Sequence, residues 1–230
     1  MTHVRVAAVV PAYNEGGRIA AVLEALRKAE TLDEIIVVSD GSTDDTYEVA
    51  SAQPGVRAVR LPVNRGKGGA MRAGALETDA DVLVFFDADL IGLTPRHICD
   101  LIAPVCSGDA IMAMGIFEGG RWATDMAQRI MPAITGQRAI RRDVFLKIPD
   151  LDKVGYGIEL AINNYIHYHH LPSQNVRLRG ITHPMKEEKL GLIPGAASRT
   201  RMYWQMLRFR VSYKLHGRPP TKRGRKKKSA

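Results

Sequence analysis

Short apolar runs alternate with helical stretches through the first 115 residues, and this alternation limits the fold more than any other feature. Residues 4–10, Ile35-Ile36-Val37-Val38 and Val82-Leu83-Val84-Phe85-Phe86 are continuous and rich in β-branched side chains. Between the first two, residues 16–29 carry helical spacing through Ile19, Val22, Leu23 and Leu26. Further strands are expected at 34–39, 56–61 and 109–116, and helices at 44–52, 69–77 and 95–105. A strand that is apolar on both faces must be covered on both, and intervening helices provide the cover. The expected fold class is therefore α/β: a mostly parallel, Rossmann-like central sheet flanked by helices.

The second half is less regular. Residues 119–142 mix glycine, charge and apolar side chains, with a breaker at Gly136. A helix is expected over 156–169, through Leu160, Ile162, Tyr165 and Ile166, and an alternating strand over 175–181. A last helix is expected over about 196–215. Beyond it, Arg218-Pro219-Pro220 opens a segment too charged to form a core. The expected division is a catalytic domain over 1–195, an amphipathic helix over 196–217 and a disordered polybasic tail over 218–230.

The net charge of +9 belongs to that end of the chain. Residues 199–230 contain 12 Lys or Arg and no acidic residue, whereas the other 198 residues hold 21 basic and 24 acidic ones. A nucleic-acid partner is accordingly not expected for the body. No apolar run approaches the roughly 18 residues of a membrane span, and Tyr13-Asn14-Glu15 follows the first apolar run where a signal peptide would be cleaved. A cytoplasmic protein is expected. Cys99 and Cys106 have no CxxC partner and read as two small core residues, without a disulfide or a zinc site.

In open parallel sheets, ligands bind at the carboxyl ends of the strands. The polar segments of this chain fall there: Pro11-Ala12-Tyr13-Asn14-Glu15, Ser39-Asp40-Gly41-Ser42-Thr43-Asp44, Asn64-Arg65-Gly66-Lys67-Gly68-Gly69 and Asp87-Ala88-Asp89. Asp87 and Asp89, two apart on an extended segment, project to one side and repel each other unless a cation lies between them. Mg²⁺ or Mn²⁺ suits such oxygen ligands and shares its shell with phosphates. Lys67 opens a helix in a glycine-rich turn, where backbone amides, helix dipole and ammonium all favour a phosphate. The turn is neither a dinucleotide fingerprint, since Met71 stands at the third glycine position, nor a P-loop. Asp40 can accept hydrogen bonds from a base or ribose, while Ser42, Thr43 and Asp44 have the chemistry of helix caps.

In this order and spacing, the four segments resemble the nucleotide-sugar glycosyltransferases of the GT-A fold, family 2 type. Asp87-Ala88-Asp89-Leu90-Ile91, Gly119-Gly120-Arg121, Gly155-Tyr156-Gly157-Ile158-Glu159 and His183 are similar to the glucosyl-3-phosphoglycerate synthases. The first-half motifs are also similar to dolichol-phosphate mannose synthases. The resemblance implies that Pro11, Tyr13, Glu15 and Asp40 hold the base and ribose, with Lys67 at the diphosphate. It implies Asp87 near ribose and sugar, Asp89 and His183 on Mg²⁺ or Mn²⁺, and Glu159 against the transferred sugar. Arg121 and Thr124 would face the acceptor. Asp87, Asp89 and Glu159 are the candidate catalytic residues. Two departures concern the acceptor: Met185 stands where the phosphoglycerate synthases have asparagine, and Arg121-Trp122-Ala123-Thr124 is one residue longer than their spacing. Inversion at the sugar would require a carboxylate base, Glu159 or Asp125, whereas the resemblance implies retention without one.

On a helical wheel, Met202, Met206, Phe209 and Tyr213 form one apolar strip, and Trp204, Leu207, Val211 and Leu215 form another. One strip could pack on the body and the other meet an anionic membrane surface; the alternative is a helix packed wholly on the body or on a partner chain, as in a homodimer, with a tail that only solubilises. Six tail cations from Lys222 to Lys228 would add about 1 kcal/mol each at an anionic membrane. The expectation is a metal-dependent hexosyltransferase using a nucleotide diphosphate sugar such as UDP-glucose. Its acceptor would be a lipid-linked or polyprenyl phosphate at the inner membrane face, to which the enzyme is peripheral. The alternatives are a soluble enzyme glycosylating phosphoglycerate or a related small phosphorylated acid, and an inactive basic-tailed nucleic-acid binder.

Overall fold

The computed structural model describes residues 3–118, 136–153 and 157–183. These form one seven-stranded sheet: β1 (Val6–Ala12), β2 (Glu34–Asp40), β3 (Val56–Leu61), β4 (Val82–Phe85), β5 (Met112–Glu118), β6 (Arg138–Arg141) and β7 (Ser173–Arg179). The helices are α1 (Gly16–Arg27), α2 (Thr46–Ser51), α3 (Gly66–Leu76), α4 (Pro95–Cys106), α5 (Arg142–Lys147) and α6 (Ile158–Tyr168), with a 3₁₀ turn at Leu151–Lys153.

The alternation of side chains along each strand explains the unbroken apolar runs. Val6, Ala8 and Val10 of β1 and Val82 and Val84 of β4 point into a core shared with Ile19, Leu23 and Leu26 of α1 and Ile98 and Leu101 of α4. Their neighbours Ala7, Val9, Leu83 and Phe85 point the other way, against Met71 of α3, Phe145 of α5 and Ile162 of α6. The sheet is thus buried on both faces, as its composition requires. Phe85 and Phe145 join sheet to helix, with ring centroids 4.8 Å apart.

The strand order is β3-β2-β1-β4-β6-β5-β7. β1 is parallel to β2 and β4, β2 to β3, and β5 to β7, while β6 is antiparallel to both of its neighbours. The carboxyl ends of six strands and the amino end of β6 therefore meet at one edge. The strand β6 and the helix α5 fall within or beside the stretch that sequence periodicity left unassigned. Arg138-Ala139-Ile140-Arg141 is too short and too charged to carry a strand period.

Cys99 is exposed and Cys106 half-buried, so the expectation of two core cysteines holds for neither fully; both are free thiols. His167, His169 and His170 lie exposed at the end of α6. The expected 196–217 helix and 218–230 tail lie outside the described residues, as do Arg121, Thr124, Asp125 and Met185.

Candidate active site

The loops after β1 and β2 are tied to each other before anything else. Asn14 adopts a left-handed conformation (φ 56°), which asparagine tolerates. Its Oδ1 accepts from the Thr43 amide at 2.9 Å, and its own amide donates to Ser42 Oγ at 3.2 Å. Asp44 accepts from the Gly16 amide at 3.0 Å and from the Thr46 amide at 3.1 Å. Ser42, Thr43 and Asp44 thus brace the β1–α1 loop, and Asp44 also accepts from the amide of Thr46, the first residue of α2; Asp45, the residue before it, makes no side-chain cap. Beside this brace, the Tyr13 ring is half-exposed. Pro11 is the penultimate residue of β1, one before its end at Ala12, and Glu15 supplies an acceptor for the Arg18 guanidinium at 3.5 Å.

Asp40, 2 % exposed at the end of β2, accepts from the Arg65 amide at 2.7 Å. Burial raises its pKa, opposed by the Arg65 and Gly66 amides. One of its oxygens therefore holds the β3–α3 loop, a structural duty the sequence did not suggest. Gly66 has φ +78°, but Gly68 serves packing: a Cβ there would lie 2.0 Å from the Leu151 carbonyl. The glycine content of this turn is thus set by the close approach of the 3₁₀ turn at Gly68 and by the left-handed backbone at Gly66.

Lys67 stands in the first turn of α3 and reaches Asp87 Oδ1 at 2.6 Å and Glu159 Oε1 at 2.8 Å. Burial lowers the lysine pKa, and the two carboxylates more than offset this, so it stays protonated. Asp87 feels the same opposition: burial raises its pKa, and Lys67 and His183 bring it below the ordinary carboxylate range. Residues from α3, the end of β4 and α6, far apart in the chain, thus form one ion cluster.

Asp87 and Asp89 are not on an extended segment. The strand β4 stops at Phe85, and Ala88-Asp89 form a turn. Both carboxylates nevertheless meet one imidazole: His183 Nδ1 lies 3.3 Å from Asp89 Oδ1, and Nε2 lies 3.7 Å from Asp87 Oδ2. A two-residue backbone bridge sets this meeting, with Ile91 N donating to Thr182 O at 3.0 Å and Thr182 N to Ile91 O at 3.1 Å. The Phe117 ring, 5.3 Å from the imidazole, backs it.

Among the described residues, no three His, Cys, Asp or Glu side chains close round a common point. Asp89 and His183 offer one carboxylate and one imidazole. That donor set fits Mg²⁺ or Mn²⁺, which take few protein ligands and fill the remaining positions with water and phosphate oxygens.

Three neighbouring residues were missed in the sequence. Gly136, read as a breaker, lies on the ion pair: a Cβ would be 2.5 Å from Asp87 Oδ2 and 2.6 Å from Lys67 Nζ. Gln137 Nε2 donates to Asp87 Oδ2 at 2.9 Å. Arg138, fully buried, donates from Nη1 to the Glu159 carbonyl at 3.4 Å and to Asn163 Oδ1 at 3.3 Å. No periodicity marks this triplet. Only a glycine followed by two long polar residues, ahead of Ala139-Ile140, hints at it.

A parallel-type α/β sheet whose carboxyl edge gathers an acidic pair, a lysine and a histidine is the GT-A arrangement. The Glycosyl transferase family 2 model matches residues 7–159, and the chain belongs to that family. It is 27% identical over 194 residues to a glucosyl-3-phosphoglycerate synthase of Mycobacterium tuberculosis, an alignment covering 68% of this chain and 59% of that protein. It is 31% identical over 184 residues to an undecaprenyl-phosphate mannosyltransferase of Micrococcus luteus, covering 68% of this chain and 75% of the relative. Among solved structures, it resembles glucosyl-3-phosphoglycerate synthase from M. tuberculosis in complex with Mn²⁺, UDP-glucose and phosphoglyceric acid. That match has a TM-score of 0.71 and 25% identity, over 94% of this chain and 81% of the other. The chain thus spans about three fifths of the length of the curated synthase it matches.

Proposed function

We infer that this protein is a divalent-metal-dependent glycosyltransferase that moves glucose from UDP-glucose to a small phosphorylated acid of the phosphoglycerate type. The observation that carries the reading is the convergence of Lys67, Asp87, Asp89, Glu159 and His183 at the carboxyl edge of the sheet. Family membership and the UDP-glucose, Mn²⁺ and phosphoglyceric acid of the related crystal structure support it.

Tyr13, Pro11, Glu15 and Asp40 would receive the base and ribose. Transfer breaks the bond between the sugar's anomeric carbon and the β-phosphate oxygen, and the electron pair leaves with UDP. An acceptor hydroxyl oxygen bonds to that carbon, and its proton passes to the departing diphosphate oxygen. Lys67, protonated and already within the cluster, would stabilise the charge growing on the leaving diphosphate. A cation held by Asp89 and His183 would supply further compensation there. Glu159 would orient the sugar. Arg121 and Thr124 are the proposed acceptor contacts.

A second acceptor, polyprenyl phosphate at a membrane, is favoured by the 31% identity to the undecaprenyl-phosphate mannosyltransferase. No described helix is long and apolar enough to cross a membrane. Peripheral attachment through the basic tail belongs to this second reading; a 196–217 helix packed on the body or on a partner chain, with a solubilising tail, belongs to the first. One assay separates the acceptors: UDP release from UDP-glucose with Mn²⁺, measured with 3-phosphoglycerate, with polyprenyl-phosphate vesicles, and with neither. Release dependent on phosphoglycerate is expected. Release that needs the vesicles would overturn the small-acid acceptor, and Mn²⁺-independent binding of RNA without UDP release would overturn the enzyme reading.

A further inference from the structure

Arg138 is the largest fully buried side chain among the described residues. Burying a guanidinium is costly unless charge and hydrogen bonds compensate it, and an apolar side chain of similar volume would fill the same space without that cost. Part of the compensation here comes from the site. Both acceptors of its Nη1, the Glu159 carbonyl and Asn163 Oδ1, lie on α6 about one turn apart, and Glu159 is in the first turn of that helix. Burial draws the guanidinium pKa down, and attraction to Glu159 and Asp87 opposes it. Arginine remains charged under this pressure, where lysine yields more readily.

The cluster is lopsided without it. Among the described residues, Lys67 bridges Asp87 and Glu159, and Asp89 adds a third carboxylate beside them. A donor diphosphate drawing on Lys67 spreads that single charge over more oxygens. A second cation, fixed inside the sheet, keeps Glu159 in place while Lys67 turns to the diphosphate.

We propose that Arg138 is a positioning residue for the transfer reaction: from β6 it fixes the first turn of α6 and so holds the Glu159 carboxylate at Lys67. This role rests on the nucleotide-sugar reading above. Because Arg138 acts through Glu159, removing it should matter only while Glu159 is present.

The test is a double-mutant cycle, reading UDP release from UDP-glucose with Mn²⁺ and phosphoglycerate. Arg138→Met is expected to lower kcat about tenfold or more with KM for UDP-glucose changed by less than about threefold, the mark of lost orientation. Arg138→Lys, which keeps the charge, recovers part of that loss. In a Glu159→Gln background, Arg138→Met costs less than about a further threefold. Losses that multiply in the double variant, or a raised KM with unchanged kcat, overturn the proposal. Should Arg138→Met fail to fold, Asn163→Ala removes one acceptor and leaves the guanidinium. It is expected to lower kcat by roughly twofold to fivefold, again only with Glu159 present, and an unchanged kcat overturns the role. A wild-type protein inert toward UDP-glucose with every acceptor overturns the nucleotide-sugar reading and the role with it. An active wild type with indifferent Arg138 and Asn163 variants overturns the role alone.

Discussion

Alanine at position 136 adds one methyl group at the centre of the ion cluster. The new carbon would stand 2.5 Å from Asp87 Oδ2 and 2.6 Å from Lys67 Nζ, and ordinary contact begins near 3.4 Å. The pair must therefore retreat by roughly 1 Å, a displacement that costs about 10²-fold in rate when it misplaces a reacting group. The electrostatic loss is of the same order. Opening the 2.6 Å Lys67–Asp87 contact to about 3.6 Å forfeits about 2 kcal/mol at an effective dielectric of about 20. Folding should be spared, because Gly136 is not among the positive-φ glycines and the displaced atoms are side-chain ends. Gly136→Ala is thus expected to lower kcat/KM for UDP-glucose about 100-fold while shifting Tm by no more than about 4 °C. Turnover within threefold of wild type would refute the view that this pair, in this geometry, serves the reaction. Loss of the folded state would show instead that the backbone depends on glycine there.

Two further outcomes can be measured, one at the same cluster and one at the start of α4. Asp89→Ala should abolish Mn²⁺-dependent UDP release, measured against wild type across a metal titration, and an unaffected rate would sink the assignment of Asp89 to the cation. The third concerns His97, whose Nδ1 accepts from the Thr94 amide at 3.2 Å in a capping box at the start of α4. Burial depresses its pKa, so below the ordinary value of about 6.5 the unfolded chain binds the proton more tightly than the folded one. Stability should therefore be complete above that pH and fall as the pH drops through and below it. His97→Gln, which keeps the capping acceptor but does not titrate, should flatten the fall in urea midpoint between pH 7.5 and 5. Parallel losses in both proteins would count against it.

Much of the architecture was legible because burial on two faces leaves a trace in one dimension. Val82 to Phe85 must be apolar at every position, and α1 must repeat Ile19, Val22, Leu23 and Leu26, for a covered parallel sheet to exist. The site was legible where a residue's chemistry conflicts with its surroundings: Asp40, Asp87 and Asp89 follow apolar strands, and Lys67 opens a helix. The reasons for individual residues were less legible. Gly68 looked like an anion cradle and is required by the Leu151 carbonyl; Asp44 looked like a cap and does accept from the first amide of α2, but it also braces a neighbouring loop.

By itself, the sequence determined the α/β class and the strand ends that carry the polar groups, which follow from local periodicity and from the rule that ligands meet the carboxyl edge of a parallel sheet. The pairing of the acidic motif with the distant His183 was implied only by the family resemblance of the motifs. Only the tertiary structure decided that β6 enters antiparallel between β4 and β5, and with it that Gly136, Gln137 and Arg138 reach the cluster. The physical reason is that a buried charge in a four-residue strand has no period to betray it. Its partners, Glu159 and Asn163, lie more than twenty residues away, and only the sheet brings them within reach.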